Sequence, residues 1–299
     1  MKKNTLLVIV GPTGTGKTEL SIEIAQMLGT EIISCDSRQV YRELHIGTAR
    51  PSEQQLTTVK HHFVATHSVF DYFNASMFES GVLELLASLF KKYKIVIMVG
   101  GSGLYVDAVC KGIDDLPTID EEIRNNLLQR KKAEGIESLR QELLRIDPEY
   151  CRTADIHNPK RILKALEVYY MTGKSYSVFL TSPHKERNFN IVKIGLSRER
   201  KELYDMIDQR VDKMIANGLV DEAKSVYHAR HLNALNTVGY REFFDYFGGN
   251  ISLEKAIDLI KRNSRRYAKR QLSWFARDKE IVWFHPLDRT SIFNHIRSL

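Results

Sequence analysis

The chain has 299 residues, 43% of them hydrophobic, with 44 Lys and Arg against 37 Asp and Glu, giving a formal net charge of +7. That length supports one large or two moderate domains with real cores. The opening strand is too short for a secretory signal and no apolar run is long enough to cross a bilayer, which predicts a soluble cytoplasmic protein without membrane partners. Cys35, Cys110 and Cys151 lie far apart without C-x-x-C spacing, which excludes a zinc or disulfide framework.

The first predicted element is the strand Leu6-Leu7-Val8-Ile9-Val10. Directly behind it comes G-x-x-x-x-G-K-T, built from Gly11, Pro12, Thr13, Gly14, Thr15, Gly16, Lys17 and Thr18. A helix follows from Thr18 and stops at Gly29. Strand, glycine turn and helix together make a P-loop: its backbone N–H groups converge at the positive end of a helix dipole. Lys17 adds a full charge, and Thr18 offers a hydroxyl to Mg²⁺. The loop is built for a diphosphate or triphosphate and does not say which molecule carries it.

The next strand, Glu31 to Cys35, ends at Asp36, with Ser34, Ser37, Arg38 and Gln39 around it. A carboxylate there either orients Mg²⁺ or takes a proton from a substrate, or else caps the turn that follows. A further strand is predicted over His62 to Ala65 and a helix over Ala75 to Lys92. The adjacent His61 and His62 point to opposite faces of a strand, so no metal is assigned to them. Ile95 to Val99 is a strand running into Gly100-Gly101-Ser102-Gly103. It lacks the acidic residue that a hydrolysing P-loop protein places there. Its glycines would let backbone approach a ligand closely, and Ser102 could donate to an anion.

Strands alternating with helices predict an α/β fold: a P-loop NTPase-like parallel sheet wrapped by helices. In such sheets ligands bind beyond the carboxyl ends of the strands, so the P-loop, Asp36 and the Gly100–Gly103 turn should share one cleft. From Asp114 the pattern turns helical, through Ile119 to Ile146 and again from the Asn158 cap and Pro159 to Gly173. The predicted organisation is a first core segment (1–113), a helical insertion domain (114–190, with a polar return linker from Thr181 to Asn190) and a core continuation (191–299). The last part holds a strand from Ile191 to Leu196, helices over Arg198 to Asn217, Val220 to His231 and Tyr240 to Phe247, a long helix to about Arg277, and a strand over Ile281 to Phe284. Arg210 either crosses the cleft to neutralise a leaving diphosphate or is a solvated arginine.

The long helix carries Lys261-Arg262, Arg265-Arg266 and Lys269-Arg270, with no acid from Lys261 to Arg277. Two sets stepping by four residues cover about half the helix surface with positive charge. Like charges at that spacing destabilise an isolated helix by roughly 0.2–0.5 kcal/mol per pair. Either acids elsewhere in the fold pair with the stripe, or a nucleic-acid backbone offsets it. Tyr267, Trp274 and Phe275 read as packing residues.

Taken together, these motifs resemble the tRNA dimethylallyltransferases, also called tRNA isopentenyltransferases, in their bacterial form. The likeness runs over the P-loop, Ile33-Ser34-Cys35-Asp36-Ser37-Arg38-Gln39-Val40-Tyr41, Gly100-Gly101-Ser102-Gly103-Leu104-Tyr105, Asn158-Pro159-Lys160-Arg161-Ile162, Val238-Gly239-Tyr240-Arg241-Glu242 and Ala268-Lys269-Arg270-Gln271-Leu272-Ser273-Trp274-Phe275. Ser102 stands where threonine is commoner. The resemblance implies transfer of a dimethylallyl group from dimethylallyl diphosphate to the N6 amine of the adenine 3′ to the anticodon. It implies Asp36 as general base, assisted by Ser102 and Arg210. Gly11, Thr13, Gly14, Thr15, Gly16, Lys17 and Thr18 would hold diphosphate, with Mg²⁺ on Thr18. Asp36, Ser37, Arg38, Gln39, Ser102, Arg124, Asn158, Pro159, Lys160, Arg161, Ile162, Gly239, Tyr240, Arg241, Arg265, Lys269, Arg270 and Gln271 would contact the anticodon stem-loop of tRNA, bound by a monomer. An adenylate-specific transferase or a small-molecule kinase would use the same P-loop without needing the basic stripe.

Overall fold

The computed structural model describes residues 4–114, 116–117, 120–180 and 185–299. Met1 to Lys3, Ile119 at the start of the predicted helical pattern, and 181–184 of the predicted linker lie outside the described residues. The described chain falls into two compact units. One comprises residues 1–110 and 186–299, the other 111–185.

The larger unit is organised on a six-stranded parallel sheet in the order β3-β2-β4-β1-β5-β6. The strands are β1 (Thr5–Val10), β2 (Ile32–Ser34), β3 (His61–His62), β4 (Ile95–Val99), β5 (Asn190–Leu196) and β6 (Ile281–Phe284). Its helices in chain order are α1 (Lys17–Leu28), α2 (Glu53–Thr58), α3 (Ala75–Leu89) and α4 (Gly103–Lys111). β1 is buried along its whole length, which is why it reads as a continuous apolar run rather than an alternating one. It sits in the middle, paired with β4 on one side and β5 on the other. β2 pairs with the far side of β4. This order places the carboxyl ends of β1, β4 and β2 side by side. Leu7, Ile9, Leu20, Ile24, Ile32, Ile97, Ile194 and Leu196 form one core between sheet and helices.

The smaller unit holds α5 (Glu121–Ile146), α6 (Pro148–Thr153) and α7 (Pro159–Thr172). α5 is interrupted at Gly135, whose φ of 81° and ψ of 171° are not helical. Leu127, Leu139, Leu143, Ile162, Ala165 and Leu166 form its core. The Asn158 side chain caps α7 by accepting from the Lys160 N–H, Pro159 takes the first turn, and Gly173 ends the helix at φ 69°. The larger unit resumes before residue 190. The Arg187 side chain, 8% exposed, donates to Glu79 (2.7 Å) and to the carbonyls of Ala108 (2.8 Å) and Val109 (2.9 Å).

The larger unit then continues with α8 (Arg200–Ala216), α9 (Leu219–Ser225), α10 (Arg241–Phe247), α11 (Leu253–Phe275) and α12 (Arg289–Arg297). A second core joins this helical layer to the segment after β2, through Val40, Tyr41, Leu44, Val211, Leu219, Tyr240, Phe243 and Ile260.

Besides trims at the ends of β2 and α3, the third strand and the helix after Gly218 are shorter than expected. β3 stops at His62 because Phe63 and Ala65 take left-handed conformations (φ 59° and 53°), which no strand can continue. The helix predicted over 220–231 ends at Ser225, and the chain turns inward through two short 3-10 turns that bury Ala229, Ala234 and Leu235.

Candidate active site

The candidate site is made by three strand ends. Cys35 N–H donates to Val99 C=O (2.7 Å), Gly100 N–H to Ile9 C=O (3.1 Å) and Ser102 N–H to Cys35 C=O (3.4 Å). These bonds extend the sheet ladder past the strands and lace together the P-loop, the turn at Asp36 and the turn at Gly100. The three turns predicted to meet at the site therefore do adjoin one another, all within the larger unit.

In the P-loop, Gly14 and Gly16 have φ of 83° and 82°, conformations that cost an L-residue about 1–2 kcal/mol. Thr15 Oγ1 and Lys17 Nζ both donate to Pro12 C=O, at 2.9 and 2.7 Å, which folds the lysine over its own loop. Burial and the neighbouring Arg210 push the Lys17 ammonium down to about 7, against the pull of Asp36 and Glu19. Arg210 is also pushed down by burial and held up by Asp36 and Glu19. Tertiary structure thus brings Arg210, isolated in sequence, into the same electrostatic cluster as Lys17 and Asp36. Two cations enclosed beside the carboxylates of Asp36 and Glu19, with the N–H groups of the loop at the start of α1, make a place for a concentrated negative charge.

Asp36 Oδ1 accepts from the N–H groups of Arg38 (2.8 Å) and Gln39 (3.3 Å). The carboxylate caps its own turn through one oxygen, and Oδ2 accepts no hydrogen bond from a described residue. The capping and proton-accepting readings of Asp36 are therefore compatible. Ser102 is buried, and its Oγ accepts from Ser37 N–H (3.0 Å) and donates to Ser37 Oγ (3.3 Å). The Tyr267 phenol, near Ser102, is pushed up to about 12 by burial and by Asp36. It is thus a hydroxyl across the physiological range, at the edge of the site. Sequence reasoning had placed it among packing residues. The signal that could have found it is its position four residues before Gln271, on the same face of α11.

Several predicted site residues turn out to hold the site rather than face a ligand. Gln271 is buried; its Oε1 accepts from Thr13 N–H (2.9 Å) and its Nε2 donates to Gly101 C=O (2.9 Å), so its side chain is not available to RNA. Tyr240 is fully buried and donates to Glu222 Oε1 (2.7 Å). Glu222 also accepts from the N–H groups of His45, Ile46 and Gly47 at 2.7–3.0 Å, a bracing carboxylate that the sequence did not disclose. Ile162 is fully buried in the core of the smaller unit. Gln39 is clipped between Ser34 Oγ and the carbonyls of Thr48 and Ala49. Gly239 N–H donates to Glu242 (2.9 Å). The glycines at 100, 101 and 103 admit Cys35, Gln271 and Trp274 rather than a ligand.

The basic stripe divides. Lys261 pairs with Asp212 (2.6 Å) and Arg265 with both oxygens of Asp208 (2.5 and 2.7 Å) on α8. Arg262, Arg266, Lys269 and Arg270 are exposed. In the smaller unit Arg124 lies 3.6 Å from Glu167, while Lys160 and Arg161 are exposed beside the Asn158 cap. Arg241, at the start of α10, is exposed. His61 and His62 bond to Val59 C=O and Glu31. No group of three or more His, Cys, Asp or Glu that could hold a metal occurs among the described residues. Thr18 supplies a hydroxyl at the start of α1, suited to an ion bound mainly through substrate phosphates and one or two protein oxygens. No described helix is long and apolar enough to cross a membrane.

The sequence model of the IPP transferase family matches residues 39–278. Its match begins past the P-loop and Asp36, which full-length relatives cover. This chain is 53% identical to tRNA dimethylallyltransferase 1 of Phocaeicola vulgatus over 296 residues, 99% of each chain. It is 52% identical to the Bacteroides fragilis protein of the same name, over 100% of this chain and 99% of that one. Among solved structures it is similar to the full-length tRNA isopentenylpyrophosphate transferase of Bacillus halodurans (37% identity, TM-score 0.71, covering 99% of this chain and 95% of that one). It is also similar to a eukaryotic dimethylallyltransferase acting on tRNA (26% identity, TM-score 0.77, covering 96% and 75%). A P-loop fold, a carboxylate beside it and full-length kinship together assign the chain to the IPP transferase family, that of the tRNA dimethylallyltransferases.

Proposed function

We propose that this enzyme transfers the dimethylallyl group of dimethylallyl diphosphate to the N6 amine of the adenine 3′ to the anticodon in tRNA. The observation that carries the reading is the pairing of an enclosed two-cation P-loop site, Lys17 with Arg210, with the unengaged Oδ2 of Asp36 on the neighbouring strand end. The allylic C–O bond breaks and the diphosphate leaves with its electron pair. The N–H groups of the P-loop, Lys17 and Arg210 stabilise that charge as it develops. The adenine nitrogen forms the new C–N bond, and its proton passes to Asp36 Oδ2. Ser102, fixed by Ser37, and the Tyr267 hydroxyl stand beside that carboxylate to orient the amine. Mg²⁺, held by the Thr18 hydroxyl, would supply further charge neutralisation on the leaving diphosphate.

The adenine has to leave its stack to enter a cleft behind a P-loop, so the RNA is bound with that base flipped out. Arg262, Arg266, Lys269 and Arg270 of α11 supply exposed positive charge for the phosphates of the anticodon stem-loop. Arg38, Arg241, Lys160 and Arg161 add further contacts. We place the reaction in the cytoplasm, on a monomeric enzyme.

The test is incubation with Mg²⁺ and labelled dimethylallyl diphosphate, offering unmodified tRNA in one tube and AMP in another. Label at the adenine beside the anticodon supports the reading. Label in AMP alone, or in neither acceptor, overturns it.

A further inference from the structure

Helix α11 has two working faces. Tyr267, Gln271 and Trp274 are spaced by four and three residues and so lie on one side of it. All three lie against the segment that follows β4. Tyr267 is near Ser102. Gln271 donates to Gly101 C=O at 2.9 Å. Trp274 Nε1 donates to Asp107 Oδ2 at 2.9 Å. Of the three, Gln271 also reaches the P-loop, through the Thr13 N–H at 2.9 Å across 258 residues of sequence. The residue is 6% exposed, and a Cβ at Gly101 would come within 2.1 Å of its carboxamide nitrogen. The bridge from Thr13 through Gln271 to Gly101 is therefore tightly fitted.

The solvent side of α11 presents Arg262, Arg266, Lys269 and Arg270, with Arg270 at its border, its guanidinium 5.6 Å from the centre of the Tyr267 ring. Arg262, Arg266 and Arg270 follow one another at i,i+4, where like charges repel and loosen the helix. Phosphates laid along that face would remove the repulsion and stiffen the helix that carries Gln271. A helix held still holds its carboxamide still, and with it the first turn of the P-loop, lowering the ordering that diphosphate must impose when it enters.

We propose that Gln271 is a positioning residue that couples the two substrates: RNA on the outer face of α11 tightens the diphosphate loop through the Thr13–Gln271–Gly101 bridge. Diphosphate in the loop then strengthens RNA binding by the same factor, as linkage requires. This rests on the donor and acceptor assigned above.

The test is the dissociation constant of inorganic diphosphate with Mg²⁺, measured by titration calorimetry with and without saturating unmodified anticodon stem-loop RNA. Inorganic diphosphate carries no dimethylallyl group, so no reaction disturbs the equilibrium. The wild-type protein is compared with Gln271→Met, which keeps the volume and removes both bonds, and with Gln271→Glu, which keeps only the acceptor for Thr13. RNA should tighten diphosphate binding by about fivefold or more in the wild type. The ratio should fall to about one in Gln271→Met and below the wild-type ratio in Gln271→Glu. Through-space repulsion between two anions opposes the effect and acts on all three proteins, so the difference in ratios reports the bridge. A wild-type ratio of one or less, or the full wild-type ratio in either variant, overturns the inference. Should Gln271→Met fail to fold, the Gln271→Glu ratio decides alone. A wild type that binds no diphosphate under any condition would instead overturn the donor-site assignment, and the coupling with it.

Discussion

Two glycine turns stand side by side at the carboxyl ends of β1 and β4, and beyond Gly11, which has both a φ of 142° and a Cβ position 2.4 Å from Leu196 C=O, their glycines answer different needs. In the P-loop, Gly14 and Gly16 are required by backbone conformation, with φ near +80°. The atom nearest a Cβ at Gly16 would be Glu19 Oε2, at 3.7 Å. The turn after β4 contains no glycine in the left-handed region. There a Cβ would strike Cys35 C=O from Gly100 (1.9 Å), the Gln271 amide from Gly101 (2.1 Å) and the Trp274 ring from Gly103 (2.3 Å). One turn is shaped to leave its N–H groups, apart from the engaged N–H of Thr13, open to an anion. The other is shaped to let the protein close on itself and hold Ser102 in place. Composition cannot tell a turn that receives a ligand from a turn that receives a neighbouring helix.

The sharpest way to break this contrast is to remove the charge from the open turn. Lys17→Ala should lower kcat/KM for dimethylallyl diphosphate by about 10²–10³, the range for loss of one preorganised electrostatic group, with the far-UV circular dichroism unchanged. A loss smaller than tenfold would mean that the loop is not the diphosphate site. Next come the glycines themselves. Gly101→Ala has to displace Gln271 and should destabilise the fold by about 1–3 kcal/mol, the range for overpacking, read as a fall in Tm. Gly16→Ala should cost only about 1–2 kcal/mol of backbone strain, with its main effect on donor KM. Equal effects on Tm and KM in the two variants would erase the distinction.

The pH dependence sharpens it further. Diphosphate favours the Lys17 ammonium, whose pKa in the free protein is held at about 7. Donor affinity is therefore full below pH 7. Above it, affinity falls by up to about tenfold per unit until the pH passes the higher pKa of the ligand-bound lysine. Donor KM measured from pH 6 to 9 should rise accordingly, and the rise should vanish in Lys17→Ala. A flat profile in the wild type would contradict the assignment.

The smallest effects separate the two classes of basic residue on α11. Replacing Arg266, Lys269 and Arg270 by Gln should reduce the salt slope of tRNA binding by about 0.7–0.9 for each phosphate that is no longer neutralised. Arg265→Gln removes a partly exposed ion pair with Asp208, worth at most about 1 kcal/mol of stability, and should leave the slope unchanged. Fluorescence titrations across a salt series distinguish the two.

Much of this molecule was legible in its residues. The P-loop, the three strands that end at the site and the helix punctuation at Gly29, Asn158-Pro159 and Gly173 follow from local rules. Asp36 was readable as a capping or a proton-accepting carboxylate, and its two oxygens leave room for both. The end of β3 was not legible, because left-handed conformations at Phe63 and Ala65 run against their local preference and are imposed by surrounding contacts. The inward turn after Ser225 was hidden for a similar reason, since burial of Ala229, Ala234 and Leu235 outweighs helix continuation.

By itself, then, the sequence determined the elements, the phosphate loop and the kinship, because these rest on periodicity, on spacing within a few residues and on motif order. Only the tertiary structure decided which residues serve the site and which support it. It placed Arg210 beside Lys17 and turned Gln271 from an RNA contact into a brace. It also divided one basic stripe into charges paired with α8 and charges left for a ligand. Each of those outcomes depends on partners far away in sequence, such as Asp208 for Arg265 and Thr13 for Gln271, and folding alone brings those partners within hydrogen-bonding distance.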